Sequence, residues 1–144
     1  MTSEQERQTP EHGAPEDSRL VITSDQADLA GARQITADHL GDCCDWVDRD
    51  AVLLVVSELL SNAVLHGGGW WRLLVTASPG QLRIEVEDKE SHVPTIRHLD
   101  MKGTPGGLGM HIISKLVTSY EAAVHPAGTG KTIRALWSRP ALPS

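Results

Sequence analysis

Glu58, Asn62 and His66 recur at intervals of four, so on a helix they form one polar stripe on an otherwise apolar surface. A carboxylate and a carboxamide one turn apart can divide the work of a magnesium-nucleotide site. The amide oxygen is a hard ligand for Mg2+, and the carboxylate can take a proton from a nucleophile. The plainer account of the stripe is a solvent-facing helix edge. Asp88 is a second candidate, because it closes an alternating run, QLRIEVED, in which Leu82, Ile84 and Val86 share its side. A carboxylate facing a core needs a partner, which can be the amides of the strand end or a ligand group such as an adenine amino group. Third, Gly106, Gly107 and Gly109 crowd the start of a helix, where free N–H groups and the helix dipole attract phosphate. Glycines also make plain turns, so this cluster alone is weak.

The stretch GTGKT, residues 128–132, has the look of a phosphate-binding loop but fails its pattern. The first glycine that such a loop needs falls at His125. Such a loop should also open a helix facing the anion, yet only 13 residues follow Lys131, among them Pro140 and Pro143, too few for the rest of such a domain.

These residues need elements to hold them. Leu20, Val21 and Ile22 read as a strand, with Ser24 as the cap of a helix over 25–40 that carries Leu29, Ala32, Ile35 and Leu40. Residues 49–66 form the strongest helix, with Val52, Val55, Val56, Leu59, Ala63 and Val64 on its apolar side and Gly67-Gly68-Gly69 as its stop. WRLLVTAS and QLRIEVED, joined by Pro79-Gly80, form a hairpin over 71–88. Residues 89–105 have no period and read as a long loop of the lid type. A helix from Gly106, with Met110, Ile113 and Val117 on one side, precedes strands near 119–125 and 130–138. The order β-α-α-β-β-loop-α-β-β predicts an α+β fold, a two-layer α/β sandwich with a mixed, mostly antiparallel sheet and its helices on one face.

The whole chain of 144 residues fits one domain, over 18–139. Residues 1–17 are polar and acidic and are expected to form a disordered tail; residues 140–144 are a short C-terminal tail. A net charge of −6 argues against nucleic acid as a partner. The longest apolar run, AVLLVV, is too short to cross a bilayer and no secretion signal is visible, so the expected setting is cytoplasmic. Cys43 and Cys44 are adjacent and read as reduced thiols, and the histidines show no metal-site spacing.

The succession of E-x-x-x-N on a helix, Asp at a strand end, long loop, glycines at a helix start and a final Gly-Thr pair resembles the Bergerat-type ATPase domain, the histidine kinase-like fold shared by gyrase, heat-shock chaperones, histidine kinases and anti-sigma factor serine/threonine kinases. The stand-alone anti-sigma form is the nearest. SELLSNAVLHGG, residues 57–68, is similar to the family's N box, and GGLGMHII, residues 106–113, to the glycine box beneath the phosphates. The resemblance implies ATP and Mg2+ as ligands. Glu58 would be the general base and Asn62 the Mg2+ ligand, while His66, Asp88, Gly107, Leu108, Gly109 and Thr132 would help bind the nucleotide. Asp88 would read adenine and Thr132 would steady that end, with Lys131 an ordinary neighbour. It also implies a sigma factor and a small antagonist protein as partners, a Ser or Thr of the antagonist as phosphate acceptor, and possible homodimers. The alternative is a partner-switching module with a degenerate nucleotide site. Two departures bear on this. The family's D-x-G-x-G is here Asp88-Lys89-Glu90-Ser91-His92, and Pro105 stands about where some members carry an arginine.

Overall fold

A computed structural model describes residues 18–90 and 105–139. Its elements run β1 (Ser18–Thr23), α1 (Leu29–Cys43), α2 (Arg49–His66), β2 (Trp71–Ser78), β3 (Gln81–Asp88), α3 (Pro105–Leu116), β4 (Ser119–Val124) and β5 (Lys131–Ser138). The expected tails and residues 91–104 of the expected loop lie outside the described residues.

Helix α2 has the bounds its sequence predicts. The Asp48 carboxylate accepts the Ala51 N–H at 3.2 Å at its start. At its end the Gly67 N–H donates to the Ala63 carbonyl. Val52, Val55, Val56, Leu59, Leu60 and Ala63 are buried along it, each large side chain contributing about 1.5–3 kcal/mol. Helix α1 departs from expectation. Asp28 caps it, accepting the Gly31 N–H at 2.8 Å, so it begins later than residue 25. Ser24 instead accepts the Trp71 N–H at 3.2 Å and ties the end of β1 to β2. Thr36, four residues from both Ala32 and Leu40, lies on the buried side with them and satisfies its hydroxyl on the Ala32 carbonyl at 2.8 Å, while Ile35 is exposed.

The sheet order is β1-β2-β3-β5-β4, and every pairing is antiparallel. The parallel pair expected of a mixed sheet is missing for a topological reason. β3 and β4 do run the same way, as a crossover through α3 requires, but β5 lies between them and is antiparallel to both. One face of the sheet is apolar, with Leu73, Val75, Leu82, Ile84, Val86, Ile133 and Ala135 buried under the helices. The other face is laced by ion pairs, Arg72 to Glu87 and Arg134 to both Glu85 and Glu121. The fold is α+β with two layers.

Among the described residues no helix is long and apolar enough to cross a membrane. The two thiols at the end of α1 lie 2.8 Å apart. Burial, reinforced by the hydrogen bond and charge of Cys43, pushes the Cys44 thiol up from 9.0 to about 12. The folded state therefore holds this proton more tightly than the unfolded state. Its contribution to stability is complete below pH 9 and is lost as pH rises through the folded value. Urea unfolding from pH 8 to 11 should show a steeper fall for wild type than for Cys44→Ala; equal slopes would contradict the assignment.

Candidate functional site

Asp88 ends β3 on the core side of the sheet and is only 4% exposed. Directly across from it in register stands Lys131, the first residue of β5, itself 2% exposed. The Lys131 ammonium donates to both carboxylate oxygens, at 3.0 Å to Oδ1 and 2.9 Å to Oδ2. Its third contact is the Glu90 carbonyl, at 3.2 Å. Three donors thus meet three acceptors, the condition under which a buried ammonium is tolerated. Oδ1 also accepts the Glu90 N–H at 2.9 Å, so the strand-end account of Asp88 is part of the arrangement as well.

Two glycines make room for this pair. A Cβ on Gly67 would come within 2.5 Å of Asp88 Oδ2, and one on Gly130, whose φ is +142°, within 2.2 Å of the Asp88 carbonyl oxygen. The Gly67 carbonyl accepts the Lys89 N–H at 3.2 Å. The end of α2, the end of β3 and the start of β5 therefore converge on one carboxylate. Gly67, the first of the three glycines, serves two ends, stopping the helix and letting the strand end approach it.

Glu58 and Asn62 are half-buried on α2, and His66 is exposed in its last turn beside Gly67. The stripe and the carboxylate thus meet at the same end of α2. Gly107 and Leu108 lie inside the first turn of α3 and Gly109 opens its second; the helix begins one residue earlier than expected, at Pro105. A helix start leaves its first N–H groups without intrahelical partners, which is what an anion needs. Among the described residues no group of three or more His, Cys, Asp or Glu is gathered to hold a metal ion. Any Mg2+ would rest on Asn62 with phosphate and water oxygens.

Thr132 is not at this site. It pairs in register with Glu87 and shares the opposite face of the sheet, where its hydroxyl lies 2.8 Å from His125 Nε2. There it lines an open groove of about 360 Å³ with Arg19, Arg72, Leu74 and Glu87. Alternation decides this: if Asp88 faces in, the residue opposite Glu87 faces out. The same rule brings in Lys131, which shares its side of β5 with the buried Ile133, Ala135 and Trp137. That parity was the available signal for Lys131, which motif matching leaves as an ordinary neighbour.

An adenine amino group at Asp88, as the resemblance implies, needs an accessible carboxylate oxygen. Here both oxygens are engaged by Lys131 and covered. Among the described residues, those at this end do not fit adenine, whereas those that the resemblance assigns to Mg2+ and phosphate, on α2 and at the start of α3, stand in the expected elements. A family model described as the histidine kinase-like ATPase domain matches residues 22–137. No curated protein matches the chain.

Proposed function

This chain belongs to the histidine kinase-like ATPase domain family, and from that premise we propose that it is a regulator of the anti-sigma factor type that works by holding and releasing protein partners and not by moving phosphate. The family implies ATP binding, typically with Mg2+. The single observation that turns the reading toward partner switching is the buried pair of Asp88 with Lys131, which occupies the group that would read the base. That pair disfavours phosphotransfer, because a kinase of this family needs the whole nucleotide positioned before its terminal phosphate can react. What supports the anti-sigma type is the N-box stretch SELLSNAVLHGG, which lies along α2 and the turn that ends it. The partners proposed are a cytoplasmic sigma factor and a small antagonist protein that competes for the same regulator.

The test is a capture experiment run beside a transfer experiment. Immobilised protein should retain a sigma factor and release it to the antagonist, with no label passing from γ-labelled ATP to the antagonist. Glu58→Gln and Asn62→Ala should leave capture unchanged, since neither residue has chemistry to do in a switch of this kind. Label on a Ser or Thr of the antagonist, reduced by about 10²–10⁴ in Glu58→Gln, would establish the kinase in its place.

A further inference from the structure

Among the described residues, backbone comes close to Asp88 at two glycines, Gly67 beside its carboxylate and Gly130 beside its carbonyl, the Glu90 N–H binds one carboxylate oxygen, and the flexible side chain of Lys131 binds both. Lysine is seldom buried to 2% exposure. Its ammonium presents N–H donors to the carboxylate, as an exocyclic amino group would, and its methylene stem fills apolar volume beside them. We propose that Lys131 is a resident substitute for a 6-aminopurine: its side chain closes the base end of the site, and the rest of that end is a latent adenine-binding shell that removal of this one side chain opens.

Chemistry sets the specificity expected of the opened shell. A carboxylate freed of Lys131 is an acceptor only, so it takes a ligand that donates from the ring edge and rejects one that presents a carbonyl there. Adenosine has the donor and inosine the carbonyl. A ribonucleoside without phosphates reports on this end alone. It keeps the outcome separate from whatever the start of α3 does with phosphate.

The inference rests on membership of the ATPase family, and its test is kept apart from the partner-switching reading. Adenosine, inosine and ATP are titrated by calorimetry into full-length wild type, Lys131→Ala and Lys131→Thr, the last retaining a hydroxyl that can donate to Asp88. Wild type should show no saturable binding of either nucleoside up to ~1 mM. Both variants should bind adenosine at least about tenfold more tightly than wild type does, and more tightly than either binds inosine. Where a variant is too unstable to titrate, the same readout is its melting temperature, which adenosine should raise and inosine should not. Wild type binding adenosine as well as the variants do would overturn the proposal, because Lys131 would then yield to the ligand unaided. So would folded variants that bind neither nucleoside, or unfolded ones that adenosine does not rescue, since the lysine would then be only a strut. Partner capture and label transfer judge the regulatory reading by separate readouts.

Discussion

Asp88→Asn should lower the unfolding free energy by about 3–5 kcal/mol, the usual cost of removing one partner from a buried ion pair. The substitution keeps the side-chain volume, so little of the loss can be assigned to a cavity. It leaves the Lys131 ammonium, now without a counter-charge, among an amide and the Glu90 carbonyl. The alternative account, in which Asp88 is only a strand-end cap for the Glu90 N–H, predicts a loss nearer 1 kcal/mol. Urea denaturation separates the two. The double variant Asp88→Leu with Lys131→Met should recover most of the loss, because an apolar replacement for both partners leaves no charge to desolvate. A loss under about 1 kcal/mol for the single variant would mean that the pair is not held as described.

Gly130→Ala should be about as damaging, for a reason of backbone geometry. At φ +142° a side chain is strained in any surroundings, and here its Cβ would fall 2.2 Å from the Asp88 carbonyl oxygen, which is backbone and has no rotamer to change. β5 would have to shift at its first residue, Lys131, and loosen the pair with Asp88. Backbone strain of ~1–3 kcal/mol then adds to a weakened ion pair, for a total above about 3 kcal/mol. Gly128→Ala is the control: its φ is +67° and nothing lies within 4 Å of the added Cβ, so it should cost only about 1–2 kcal/mol. Equal effects of the two substitutions, measured by thermal unfolding, would contradict the close approach of β5 to the end of β3.

The two substitutions act on contacts of opposite legibility. Asp88 could be placed from the sequence, because the alternation of Leu82, Ile84 and Val86 is local and carries its side with it. The bounds of α2 were equally local, with its apolar period to set its length and the Gly67-Gly68-Gly69 run to stop it, as was the hairpin over 71–88 around Pro79-Gly80. The order of elements, and with it the fold class, followed from the succession of these periods. That Glu58, Asn62 and His66 stand on one helix could be read for the same reason, since their spacing fixes their relation.

What the tertiary structure decided was who stands beside whom across the chain. Lys131 meets Asp88 from 43 residues away, because β5 inserts between β3 and β4 in one register. No local pattern fixes a register between strands that distant; a slip of one residue would have put Thr132 opposite Asp88 and turned Lys131 to the outer face. The start of α1 had the same character, since Ser24, the expected cap, is claimed by the Trp71 N–H from 47 residues away. The sequence alone determined the elements and the inward carboxylate, because periodicity and capping act within a few residues. Only the packed sheet determined that the carboxylate is already occupied, because that depends on the pairing of two strands brought together by everything folded between them.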